Sequence, residues 1–205
     1  MAEREDDDFS DLSAHLASLP YLPRRAPTLQ EEHMDTQNGI LNIQQALAGI
    51  NRQILDVAKD VFPEDWTSLT PNLLSLYSWV GYDIDGRTDI SWGDAIRLRL
   101  SEKSDQLGRY LDAALAIQAL GGMNAAGEKA VETLIDKITD AHESAQRDLE
   151  LFKRDLTDTS NLVAAANNLT RTSTRRFLNL EPVMPVIEAA LKGAKSDSVK
   201  IELVN

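Results

Sequence analysis

Apolar residues recur along this chain at helical spacing over three long stretches. Ile40, Ile43, Leu47, Ile50, Ile54, Val57 and Val61 follow one another at intervals of three and four, which draws one apolar stripe along a helix. Thr28 and Glu31 form a capping box ahead of it and Pro63 ends it, so the pattern predicts a helix over about 29–62. Ser91 with Asp94 opens a second helix, which carries Trp92, Ile96, Leu100, Leu107, Leu111 and Leu115 as far as Gly121-Gly122. A third runs over 124–156 with Val131, Leu134, Ile135, Ile138, Ala141, Ala145, Leu149, Phe152 and Leu156 on one side and mostly charged residues on the other. Shorter helices are expected over about 160–171 and 181–193, the last behind Pro182.

Two stretches break the helical period. Leu73 to Tyr82 is nearly continuous in apolar residues, includes Tyr77, Trp79, Val80 and Tyr82, and reads as a strand covered on both faces. Val199, Ile201 and Leu203 alternate like a second, short strand. A buried strand must pair its backbone groups, and two strands make a poor sheet. Either 73–82 is helical after all, or its partner strands belong to polypeptide outside this chain. The expected fold is mainly α, long amphipathic helices with one or two short strands. It divides into an acidic, proline-rich lead-in (1–27), a helix-strand-loop-helix region (28–122) and a helical region with a possible C-terminal strand (123–205).

Composition narrows the function. Acidic residues outnumber basic ones by 33 to 21, a net charge of -12, which opposes binding to nucleic acid or to an anionic membrane surface without a local basic patch. With no cysteine, thiolate catalysis and Cys-ligated zinc are excluded. The acidic start and the lack of a long apolar run lead to the expectation of a soluble, cytoplasmic protein. Asp6-Asp7-Asp8 reads as a solvated tail, His33 as a solvated surface histidine, and His142 as packed or partly exposed. Arg171, Arg175 and Arg176 read as a solvated helix end, with a phosphate or an acidic partner as the functional alternative.

Candidate chemistry concentrates in Y-S-W-V-G-Y-D-I-D-G-R-T-D-I, residues 77–90. Asp83, Asp85 and Asp89 surround Gly86, and Arg87 adds a fork-shaped cation able to grip a carboxylate or phosphate. Such a loop ahead of a helix N-terminus suits an anionic, metal-assisted substrate, and it equally suits an Asp/Gly turn whose carboxylates cap backbone N–H groups. An EF-hand is disfavoured, because the glycine stands fourth from Asp83 rather than sixth. The D-x-D-G-T signature of haloacid-dehalogenase-type phosphatases is matched except that Arg87 replaces the threonine.

The ordered set Ser78, Trp79, Gly81, Asp83, Asp85 and Gly86 resembles the S-W-x-G-G-D-x-D-G-N stretch of phosphoenolpyruvate carboxylases, especially their divergent bacterial branch. The similarity runs from about Thr28 through Ala119, a little under half the chain, and includes V-F-P-E-D-W before the motif. The resemblance implies part of a helix-rich βα-barrel enzyme, homo-oligomeric and cytoplasmic, that uses Mg²⁺ or Mn²⁺ to convert phosphoenolpyruvate and bicarbonate into oxaloacetate and phosphate. By that resemblance Asp83, Asp85, Gly86 and Arg87 belong to the substrate-binding loop. The family's arginine between the two aspartates is replaced here by Ile84, and Arg87, where the family usually has asparagine, would supply the guanidinium instead. No H-P-T histidine motif occurs in this sequence, and the resemblance implies that the family's metal-binding acids and glycine-rich mobile loop lie downstream of where this chain stops, so no catalytic residue or metal ligand is assigned. The expected function is therefore that of a carboxylase fragment, inactive alone and completed by the remainder of the enzyme chain. The competing expectation is an acidic α-helical bundle acting as a protein-interaction module.

Overall fold

The computed structural model describes residues 13–15, 17–18, 25–83 and 87–205. The capping box predicted at Thr28 forms, with the Glu31 N–H donating to Thr28 Oγ1 and the Thr28 N–H to Glu31 Oε2, and it starts helix α1 (Leu29–Val61). At ~1.5 Å per residue this 33-residue helix is about 50 Å long. A 3₁₀ turn (Trp66–Ser68) follows it, residues 71–79 are irregular, and α2 (Trp92–Leu120) opens on the Ser91/Asp94 box. Asn124 caps α3 (Ala125–Phe152) through the Gly127 N–H. The chain ends with α4 (Thr159–Thr170), α5 (Met184–Gly193) and α6 (Asp197–Val204).

The core lies where α2, α3 and α5 meet. Leu107 and Ala114 of α2 pack with Leu134, Ile138, Ala141 and Ala145 of α3 and with Phe177 and Val183. A neighbouring cluster joins Ile117, Met123, Val131, Ala190 and Val199. Alanines on the α3 stripe let its partners approach closely, so a modest set of large side chains fills the space.

Helix α1 departs from the expectation. Its only fully buried large side chain is Leu55, which with Ala58 meets Trp66 and, from α6, Ile201 and Val204. Around that contact Arg52 pairs with Glu202 (2.7 Å) and Lys59 with Asp197 (3.1 Å). Towards its N-terminus the helix meets α2 through polar side chains: Gln37 Nε2 donates to Glu102 Oε1 and Gln44 Nε2 to Gln106 Oε1, each at 3.1 Å. The predicted stripe, by contrast, leaves Ile43, Ile50, Val57 and Val61 exposed. The periodicity located the helix and misplaced its buried face.

Neither expected strand forms. Among the described residues the only β-type pairing is the isolated bridge between Met123 and Ala194. Residues 199–203 are helical, capped by Ser196. They alternate apolar and polar because α6 is buried on two sides, Val199 and Leu203 towards the α3–α5 cluster and Ile201 and Val204 towards α1. Residues 71–79 are neither strand nor helix, and Tyr77 and Trp79 are 89% and 82% exposed, so the segment is not covered on both faces. The mainly α expectation holds, while its βα-barrel part gains no support. No helix among the described residues is long and apolar enough to cross a membrane.

Candidate functional site

The motif begins in a turn that strongly favours glycine. Gly81 has φ +85°, and a Cβ there would come within 2.6 Å of Leu98 Cδ1. The Tyr82 N–H donates back to the Trp79 carbonyl at 3.0 Å, closing the turn. Arg99 of α2 takes the place of a neighbouring strand: its guanidinium donates to the Ser78 and Val80 carbonyls and lies 4.0 Å from the Tyr82 ring centroid. Its remaining charge is met by Glu102 Oε2 at 2.6 Å.

Glu102 is the hub behind this turn. It accepts from Gln37 and Arg99, and His33 Nε2 lies 3.3 Å from Oε1. That nitrogen is within ion-pair reach but off the line of a hydrogen bond, and it is buried without another partner. Burial pushes the Glu102 carboxyl upward, and the pull of Arg99 and His33 in the opposite direction does not cancel it. His33, expected at the surface, is thus an interior residue at the α1–α2 seam; sequence reading missed it because the acids beside it, Glu31 and Glu32, suggested a solvated turn. Glu102 and Arg99 were missed as well, and their i,i+3 spacing on α2 was the one available signal.

The candidate loop residues are only partly brought together. Asp83 and Arg87 line one cavity of ≈ 490 Å³, with Glu32, Asp35, Trp79 and Ile90 also on its walls. Asp85 and Gly86, like Ile84, lie outside the described residues. Arg87 is already engaged: Nε and Nη2 donate to Asp89 Oδ1 (2.9 Å) and Oδ2 (2.6 Å), and Nη1 donates to Glu32 Oε2 (2.6 Å). These contacts, the Asp89 hydrogen bonds first, raise the guanidinium's pKa and lower that of Asp89. An incoming carboxylate or phosphate must therefore exchange with Asp89 or Glu32. The motif's loop is in this way tied to α1 through Glu32 and to α2 through Arg99.

A larger cavity of ≈ 890 Å³ opens between the N-terminal parts of α1 and α2, with His33, Met34, Asp94, Arg97 and Lys153 on its walls. Its upper edge is the α1 cap, where Arg25 and Thr28 hold Glu31 down from 4.5 to about 2, the Arg25 hydrogen bond being the largest cause. A depressed carboxyl stabilises the fold above its unfolded pKa, and that contribution is lost as pH falls through the folded value. Amide exchange over residues 29–33 is therefore expected to accelerate as pH drops from 4.5 towards 2, after correction for intrinsic rates. Glu31→Gln should abolish that dependence, and equal pH profiles in both proteins would rule out the cap as its source.

His142 is half-buried against Gly108 of α2. The Mg²⁺ or Mn²⁺ implied by the carboxylase resemblance finds no donor set here: no three His, Asp or Glu side chains converge among the described residues. Comparison with known proteins assigns no family, since no family model, curated protein or solved structure matches the chain.

Proposed function

We propose that this chain is part of a phosphoenolpyruvate carboxylase-like enzyme and contributes one wall of its substrate pocket, without catalysing carboxylation alone. The observation that carries the reading is the ordered set Ser78, Trp79, Gly81, Asp83, Asp85 and Gly86 leading into Arg87. Two features of the fold support it. The Gly81 turn is held at three points by Arg99, a degree of fixing that an ordinary surface loop does not need. The aromatic residues before it, Tyr77 and Trp79, stand in solvent, as they would where further polypeptide normally covers them.

In this reading Arg87 exchanges its contact with Asp89 for the substrate's carboxylate or phosphate, and Asp83 orders the loop. Mg²⁺ or Mn²⁺ in the complete enzyme would polarise the substrate, held by residues outside this chain. The base, the metal ligands and a closing loop are all missing from the residues assigned here, so proximity, acid/base and electrostatic contributions are lost together. The 205-residue chain is expected to form no oxaloacetate from phosphoenolpyruvate and bicarbonate in an assay coupled to malate dehydrogenase. In an active enzyme containing this stretch, Arg87→Ala is expected to raise the KM for phosphoenolpyruvate at least about tenfold, the scale of one charge-assisted pair. An unchanged KM and kcat would remove Arg87 from the pocket.

A second reading, an acidic helical interaction module, is favoured by a different observation. Ile43, Ile50 and Val57 are exposed at seven-residue spacing on α1, a seam suited to another helix. Under it the isolated chain is monodisperse and unfolds cooperatively, whereas a carboxylase fragment self-associates through uncovered apolar surface. Sizing chromatography with thermal melts distinguishes the two.

A further inference from the structure

The cluster Arg171, Arg175 and Arg176 separates into two functions in the fold. Arg176 is a half-buried structural residue, its side chain 14% exposed and bonded to Asp148 (2.6 Å) and to the Asn168 and Leu169 carbonyls. Arg176 also borders a cavity of ≈ 460 Å³ whose further lining includes Arg171, Arg175 and, from α3, Arg147. Arg147 is more than twenty residues away in sequence, so no linear motif contains it.

Arg25, Arg52, Arg87, Arg97 and Arg99 each pair with a carboxylate. Arg147 and Arg171 make no ion pair or side-chain hydrogen bond with any described residue. Arg175 reaches only Asp140, at 3.6 Å with both side chains largely in solvent. Two free guanidiniums and one loosely held therefore converge on a single concavity in a chain of net charge -12. The loop carrying Arg171 and Arg175 is fixed before any ligand arrives. Arg176 pins it to α3 and α4, and Lys103 Nζ donates to the Phe177 carbonyl at 2.9 Å. The hydroxyls of Ser144, Thr172 and Thr174 complete the lining.

We propose that this cavity is a binding site for a multiply charged oxyanion, a phosphorylated or pyrophosphate-bearing small molecule. Guanidiniums bind such groups with paired N–H donors, and the hydroxyls supply further donors. The acids in the same cavity sharpen the choice. Asp140 and Glu143 repel anions, and a ligand must displace Asp140 from Arg175, which selects a compact group of high charge over chloride or a single carboxylate. The volume suits a small molecule. This site is separate from the Asp83–Arg87 loop and does not depend on the carboxylase reading.

The test is calorimetric titration of the full chain with inorganic pyrophosphate at constant ionic strength. One saturable site is expected, weakened at least about tenfold by Arg147→Ala or by Arg171→Ala. Arg171→Lys should fall between, since it keeps the charge and loses the fork. Arg25→Ala, the same charge change outside this cavity, should bind like the parent. Absence of saturable binding up to about 10 mM, tenfold weaker than a 1 mM site, overturns the proposal. So does an equal loss in Arg25→Ala, which would mean diffuse charge attraction. Both alanine variants remove exposed side chains, and unchanged circular dichroism confirms that a loss of binding is not a loss of fold.

Discussion

Gly193→Ala is expected to destabilise the protein by about 3 kcal/mol, the upper end of what overpacking costs, and to lower its Tm by roughly 10 °C for a chain of this size. The reason is a backbone-to-backbone contact. A Cβ on Gly193, at the end of α5, would stand 2.4 Å from Gly127 Cα and 2.6 Å from its nitrogen, in the first turn of α3. It would also meet Asn124 Oδ1 at 2.9 Å, the atom that caps α3 by accepting from the Gly127 N–H. The two nearest atoms are backbone and the Asn124 oxygen is held in its cap, so the clash is not relieved by a side chain swinging away. The Asn124 N–H also donates to the Gly193 carbonyl at 2.9 Å, so parting the helices breaks that bond and uncovers Ala190 and Ala194. Gly49→Ala in α1 is the opposite case: no atom lies within 4 Å of its Cβ, and the substitution should stabilise by ~0.5–1 kcal/mol through helix propensity. Urea unfolding of the two variants measures both signs. A cost below about 1 kcal/mol at Gly193 would show that the α3–α5 contact gives way easily.

These two glycines also mark what could be read before the fold was known. Both capping boxes, Thr28/Glu31 and Ser91/Asp94, and the long helices behind them were legible, because they depend on neighbours within one turn. The α3 stripe was legible too, since Val131, Leu134, Ile138, Ala141 and Ala145 are buried as their spacing implied. What failed depended on which face found a partner. On α1 the polar line His33, Gln37, Gln44 meets α2, and the more apolar line carrying Ile43, Ile50 and Val57 stands outside. Periodicity reports an apolar face and is silent on what covers it.

The same limit explains the segment before the motif. Leu73 to Tyr82 has the composition of a buried strand, and composition contains no information about pairing. Arg99, nineteen residues beyond Val80, holds that backbone instead. Within the candidate site, glycine at position 81 could be justified from sequence as a turn, whereas the Arg87–Glu32 and His33–Glu102 contacts join residues more than fifty positions apart.

Arg176→Met is expected to cost about 4 kcal/mol, in the range for breaking a buried ion pair. Asp148, a buried acid on α3 with 6% side-chain exposure, would be left with Asn168 Nδ2 at 2.6 Å and no guanidinium. The carbonyls of Asn168 and Leu169, at the end of α4, would lose their donor at the same time. Lys103 cannot simply take over. Its amine already donates to the Phe177 carbonyl, and burial lowers its pKa first, with the attraction of Asp148 and the repulsion of Arg176 acting after that. Asp148→Leu alone should also destabilise, because Arg176 keeps its two carbonyls but loses its counter-charge. The double variant Arg176→Met/Asp148→Leu should cost less than the sum of the two by at least about 2 kcal/mol, since it leaves neither charge buried and unpaired. A double-mutant cycle in urea supplies all four stabilities. Strict additivity would mean that the pair is screened as a surface contact would be, and that the loop over 171–177 is held mainly by Phe177 and Val183 in the core.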